Sequence, residues 1–184
     1  MPDTALLIID LQVALVEGAH DAEACLARIA ALAERARAGG VPVVYLRQRI
    51  DYPGVTAEQL DIHPAVAPQP EDTVLDKDSA DSFLDTPLDG VLREHGVRQV
   101  VVTGFATEYC VDATCRSALS HGYDLVLVAD GHTTPRRPPD SPLPSAAQVV
   151  VHHNEVFATI TYADRTNQVL PAAKMDFTAG PTAG

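Results

Sequence analysis

The sequence predicts an α/β fold, a three-layer α/β/α, Rossmann-like domain around a mostly parallel six-stranded sheet. Two observations carry that prediction. Short runs of apolar, β-branched residues alternate with longer segments whose apolar residues recur at helical spacing, the order that builds parallel strands joined by covering helices. The apolar runs are continuous rather than alternating, as strands buried on both faces require. With 184 residues, set against roughly 150 per domain, one domain is expected over residues 1–178. A disordered tail of small residues is expected over 179–184.

The first strand is Thr4–Ile9, uninterruptedly apolar from Ala5. A polar turn leads into a helix from about Asp21 to Ala38, with Leu26, Ile29 and Leu32 on one stripe and Gly39 and Gly40 ending it. Val41–Arg47 is the second strand. A proline-rich surface excursion follows, through Tyr52-Pro53-Gly54, His63-Pro64 and Pro68-Gln69-Pro70, before a third strand at Thr73–Leu75. Asp85-Thr86-Pro87 supplies an N-cap and an early proline for a helix that closes at Gly96. Arg98–Thr103 forms the fourth strand, Thr107–His121 a helix and Asp124–Ala129 the fifth strand. Pro135, Pro138, Pro139 and Pro142 make Gly131–Pro142 a loop, a candidate lid. Leu143–Val156 reads as the last helix and Phe157–Tyr162 as an edge strand.

Composition limits the partners. Thirteen basic and twenty-five acidic residues leave a net charge of −12, a field that repels phosphate backbones and anionic lipid, so neither nucleic acid nor a membrane is an expected partner. No apolar run approaches the ~20 residues of a membrane span, and no basic segment precedes Ala5–Ile9, so a cytoplasmic location is expected. Three cysteines without knuckle spacing argue against a disulfide framework or a structural zinc site.

Ligands of open parallel sheets bind beyond the carboxyl ends of the strands, where strand order reverses. Asp10, Lys77 and Cys110 all fall on that edge. Asp10 follows five apolar residues, so desolvation should raise its pKa until a cation compensates, which is how a base is made. Its structural alternative is a turn cap. Lys77 stands between two aspartates in a chain with eleven arginines and two lysines, which points to a need for a compact ammonium; the alternative is a solvated surface lysine. Cys110 opens a helix after a strand ending in Gly104, a setting whose N–H groups and dipole favour thiolate; alone it would read as a small buried hydrophobe. Cys25 and Cys115 fit the core.

Leu6-Leu7-Ile8-Ile9-Asp10-Leu11-Gln12, Asp76-Lys77-Asp78-Ser79-Ala80-Asp81-Ser82-Phe83 and Gly104-Phe105-Ala106-Thr107-Glu108-Tyr109-Cys110-Val111, with Thr114 and Ala118, together resemble the isochorismatase-like cysteine hydrolases. That family includes nicotinamidases, N-carbamoylsarcosine amidases and streptothricin hydrolases. The resemblance implies a triad of Asp10, Lys77 and Cys110, a cis peptide at Phe105–Ala106 and an oxyanion hole formed by the amides of Ala106 and Cys110. It implies hydrolysis of a small amide, ureide or lactam through a thioester, with no cofactor, in a homodimer or homotetramer. Gln48-Arg49-Ile50-Asp51-Tyr52 lacks the metal-binding Asp-x-His of nicotinamidases, and Leu15 replaces their pocket phenylalanine. The Lys77–Phe83 segment is most similar to the streptothricin hydrolase branch. Gln12, Leu15, Phe83, Phe105 and Thr107 are the expected pocket lining.

Adjacent His152 and His153 point about 100° apart on a helix and share no ligand face with His132 or His63, so no metal site is expected. An inactive binding protein of the same fold is the rival reading, and all three triad positions being filled argues against it. A redox pair of Cys110 and Cys115 is opposed by five-residue spacing, which sets the sulfurs about 140° apart on a helix.

Overall fold

Five consecutive apolar residues, Ala5 to Ile9, leave the first strand no solvent face, and it runs through the middle of the sheet. A computed structural model describes residues 3–50 and 53–177; the expected tail, 179–184, lies outside the described residues. The strands are β1 (Thr4–Ile9), β2 (Val43–Gln48), β3 (Thr73–Lys77), β4 (Gln99–Phe105), β5 (Asp124–Thr133) and β6 (Asn167–Leu170). They pair in the order β3-β2-β1-β4-β5-β6, every pair parallel. The helices are α1 (Val13–Val16), α2 (Ala22–Ala38), α3 (Ala57–Leu60), α4 (Leu88–Glu94), α5 (Asp112–His121) and α6 (Ala146–Thr159).

The two-residue period of the strands divides the core in two. Leu6 and Ile8 of β1, with Val43 and Tyr45, meet Leu26, Ile29 and Leu32 of α2. Ala5, Leu7 and Ile9, with Val44 and Leu46, meet Leu88 and Leu92 of α4, Cys115 and Ala118 of α5 and Phe157 of α6. Cys25 and Cys115 are buried in these opposite layers. Strand order reverses between β1 and β4, and the region beyond the carboxyl ends at such a reversal is the usual ligand position in open parallel sheets. No helix among the described residues is long and apolar enough to cross a membrane.

Two close approaches shape this edge. Gly104 of β4 pairs with Ile9 of β1 at φ 130°, and a Cβ there would lie 2.2 Å from the Ile9 carbonyl oxygen. In β5 the ladder to β4 passes from Val102–Leu127 directly to Gly104–His132. Four residues, Val128 to Gly131, therefore stand opposite Thr103 alone. Gly131 permits this bulge, since a Cβ would meet the Val128 side chain at 2.8 Å.

The bulge carries β5 to Thr133, so the expected loop begins later than Gly131; the turn signal was read as the end of a strand that resumes. The expected edge strand at Phe157–Tyr162 is a correction. Ser145 and Gln148 form a capping box that starts α6, and Phe157, buried between that helix and the sheet, belongs to its last turns. The edge strand is Asn167–Leu170, four partly exposed residues with no apolar run to read. The expected helix from Thr107 opens instead with a π turn, Thr107–Val111, before α5. The helix expected from Asp85 starts at Leu88, whose amide donates to Thr86 Oγ1 at 3.3 Å.

Candidate active site

Asp10 is the first residue beyond β1, held in the left-handed region at φ 51°, which Asp and Asn enter more readily than other side chains. Its amide donates to the Leu46 carbonyl at 2.8 Å, turning the chain out of the sheet with the carboxylate still inside. Lys77 ends β3, and its side chain is 0% exposed against 1% for Asp10. Lys77 Nζ donates to Asp10 Oδ2 at 2.7 Å, to Gln48 Oε1 at 2.6 Å and to the Ser79 carbonyl at 3.0 Å, which uses all three of its N–H bonds. Gln48 ends β2, between the other two strands. Gln12 braces it, accepting from the Gln48 amide at 2.8 Å and donating to the Gln48 and Leu60 carbonyls.

Cys110 lies on the π turn after β4, four residues past the cis peptide Phe105–Ala106. The amides of Tyr109 and Val111 both donate to the Ala106 carbonyl, at 3.0 and 3.2 Å. The Ala106 amide donates to no backbone or side-chain acceptor among the described residues. The thiol interacts with the Asp10 carboxylate, yet Asp10 Oδ1 is buried without a hydrogen bond of ordinary geometry. One carboxylate oxygen is thus committed to Lys77, and the other is buried without such a bond.

Burial raises the Asp10 carboxyl above its usual range, and the Lys77 charge opposes the rise. Burial and then the negative Asp10 push the Cys110 thiol up to about 12, with Lys77 again opposing. Both influences oppose the preference for thiolate that the helix start supplies. Their origin is tertiary: the sulfur is mostly buried and interacts with a carboxylate, whereas the effect of a helix start is local.

Residues 4–141 match the Isochorismatase domain. The chain belongs to the isochorismatase family. It is 39% identical over 139 residues to a streptothricin hydrolase of Streptomyces noursei, covering 72% of this chain and 55% of that protein. It is 42% identical over 66 residues to the ureidoacrylate amidohydrolase RutB of Methylorubrum extorquens, 36% of this chain and 27% of that one. The chain spans about half the length of the streptothricin hydrolases it matches. Among solved structures, an isochorismatase from Pseudomonas putida superposes with a TM-score of 0.82 at 26% identity, covering 95% of this chain and 90% of that one.

Within this isochorismatase-family chain the five expected pocket residues separate. Phe83 stacks on His121 with ring centroids 4.6 Å apart, at the far end of α5 from Cys110, and packs in the core beneath that helix. Leu15 packs, partly buried, against the α2 side of the core. Phe105 and Ala106 are buried in that same layer, and Thr107 is fully buried with its hydroxyl 2.9 Å from His132 Nδ1. Gln12 lines a cavity with Arg47, Gln48 and Asp76, but its amide is spent on backbone groups. A larger cavity of about 860 Å³, lined by Val16, Glu17, Leu26, His63 and Arg136, includes none of Asp10, Lys77 and Cys110.

The sequence reading missed Gln48, although its place at the end of β2 puts it on the same edge. Glu108 accepts from Thr134 Oγ1 at 2.5 Å and pairs with Arg137, which also donates to the Pro144 carbonyl. The proline-rich segment is thereby tied to the turn that carries Cys110.

His132 is buried, and burial lowers its pKa from 6.5 to about 4, with Asn154 and Asp130 opposing and His153 reinforcing the shift. The unfolded chain therefore takes up this proton first as pH falls. Its contribution to stability is complete above 6.5 and is lost toward 4, amounting to about 3 kcal/mol over that window. Burial of Asp10 has the opposite sign, because its penalty is relieved in acid. Urea unfolding of the wild type and of His132→Asn, compared at both ends of the window, isolates the histidine: the wild type should lose more stability in acid. Equal losses would reject this account.

Proposed function

We propose that the chain is a cysteine-dependent hydrolase that cleaves the C–N bond of a small amide, ureide or lactam through a thioester. The observation that carries this reading is the Cys110 thiol interacting with a buried Asp10 carboxylate that Lys77 holds by one oxygen, the other oxygen being without a hydrogen bond. The names of the relatives, a streptothricin hydrolase and a ureidoacrylate amidohydrolase, agree with a substrate of this class.

Asp10 accepts the thiol proton as sulfur attacks the carbonyl carbon, so a free thiolate need not accumulate. The oxyanion is received by the amides of Ala106 and Cys110, each such donor contributing roughly 2.7–4 kcal/mol in enzymes where one has been removed. Protonated Asp10 returns its proton to the departing nitrogen, the C–N bond breaks and the acyl group stays on sulfur. Asp10 then draws a proton from water, water attacks the thioester, and the released Cys110 sulfur recovers its proton. Lys77 keeps the carboxylate oriented and balances its charge throughout.

The test is a panel of primary amides, ureides and lactams assayed for release of ammonia or amine, with acid-quenched protein analysed by peptide mass spectrometry. An acyl mass on Cys110, and a fall in turnover of at least ~10³-fold in Cys110→Ala, are expected. Undiminished turnover in that variant, or an acyl mass on another residue, would reject the reading.

A further inference from the structure

Three polar side chains beside the candidate site take no part in the steps above: Thr107 on the π turn and His132 on β5, both buried, and the partly buried Asn154 on α6. Thr107 Oγ1 lies 2.9 Å from His132 Nδ1, and His132 Nε2 lies 3.0 Å from Asn154 Oδ1. Asn154 Nδ2 donates to the Ala129 carbonyl at 3.0 Å, and this last link sets the direction of the others. A carbonyl only accepts, so the amide nitrogen of Asn154 faces Ala129 and its oxygen faces the imidazole. His132 must then carry its proton on Nε2, which leaves Nδ1 as an acceptor and makes the Thr107 hydroxyl the donor. The chain of donors runs one way, from Thr107 through His132 and Asn154 to Ala129, and successive bonds of one sense polarise and strengthen one another.

The backbone makes the relay possible. The bulge that sets Val128 to Gly131 opposite Thr103 includes Ala129, whose carbonyl ends the chain, and brings His132 level with Gly104. His132 is the partner of the residue just before Phe105, and Thr107 is the residue just after Ala106. The relay therefore grips the turn immediately beside the cis peptide. Its low pKa keeps the imidazole neutral at ordinary pH, as this proton arrangement needs.

Resting on the hydrolase reading above, we propose that His132 is a positioning residue: as the Nε2–H tautomer it fixes Thr107, and through Thr107 the Ala106 and Cys110 amides that receive the oxyanion. Thr107 accordingly has no proton to give a substrate, and it acts on the turn.

Two reactions at one sulfur test this. Iodoacetamide alkylates Cys110 at a tetrahedral carbon and develops no oxyanion, whereas p-nitrophenyl acetate acylates it through a tetrahedral oxyanion. Thr107→Val, nearly isosteric, and His132→Gln, which keeps a donor for Asn154 but withdraws the acceptor from Thr107, should slow acylation about 10²-fold and leave alkylation within about threefold. Thr107→Ser restores the hydroxyl, and His132→Asn puts an oxygen where Nδ1 stood. Both should recover acylation to within about fivefold of the wild type. Parallel loss of both reactions in Thr107→Val would mean a purely structural role and overturn the proposal, as would acylation at the wild-type rate in both disruptive variants. A wild-type Cys110 that alkylates but is never acylated would instead reject the hydrolase reading, and this inference with it.

Discussion

Replacing Asp10 with asparagine is expected to make Cys110 more acidic and the protein less active. Burial and the negative Asp10 charge hold the thiol at about 12, against the pull of Lys77. Asparagine keeps the shape of the side chain and accepts the left-handed backbone at φ 51°, but it removes the negative charge and leaves the lysine. The thiol's pKa should therefore fall, read from the pH dependence of thiolate absorbance with Cys110→Ala as the blank. Turnover should nevertheless drop by about 10²–10⁴-fold, the usual worth of a general base, because the carboxylate that receives the proton is gone. A nucleophile that ionises more easily while catalysis collapses distinguishes proton transfer to Asp10 from simple thiolate attack. Unchanged thiol titration, or activity within roughly tenfold of the wild type, would sink the assignment.

Gly104→Ala is expected to be the most damaging single methyl group in the fold. The position has φ 130°, which side-chain-bearing residues rarely adopt, and the new carbon would lie 2.2 Å from the Ile9 carbonyl oxygen and 2.7 Å from its nitrogen. Both clashing atoms are backbone of β1, the central strand, so no rotamer change relieves them. The β1–β4 ladder must part where it delivers Asp10, and the loss should exceed about 4 kcal/mol, in the range reserved for a few severe mechanisms. Urea unfolding reads it directly. Gly90→Ala is the control, since a Cβ there meets nothing within 4 Å and a mid-helix alanine should stabilise by roughly 0.5–1 kcal/mol. A Gly104→Ala protein with a midpoint near the wild type would show that the strands can separate without cost.

Asp10, Lys77 and Cys110 were legible from the chain because each stands at or just beyond the end of an apolar run, and parallel strands put such ends on one edge. Their partners were not. Gln48 becomes informative only once β2 is known to lie between β1 and β3. The Thr107–His132–Asn154 relay joins three elements through a bulge that leaves no periodic trace. The same limit applies to the thiol: the helix start is local and readable, whereas the burial and the carboxylate that oppose it come from strands far away in sequence. The stacking of Phe83 on His121 likewise joins residues far apart in sequence and leaves no local trace. The short edge strand Asn167–Leu170 escaped because it carries no apolar run.

Lys77 has consequences for the handling of the protein. The chain contains only two lysines. One has every N–H bond occupied and a side chain with 0% exposure, while Lys174 stands exposed on a short turn after β6. Apart from the α-amino group, an amine-directed dye, biotin or resin therefore meets a single handle. Molecules tethered through it would all carry their label at the same place and keep the Lys77–Asp10 ion pair intact.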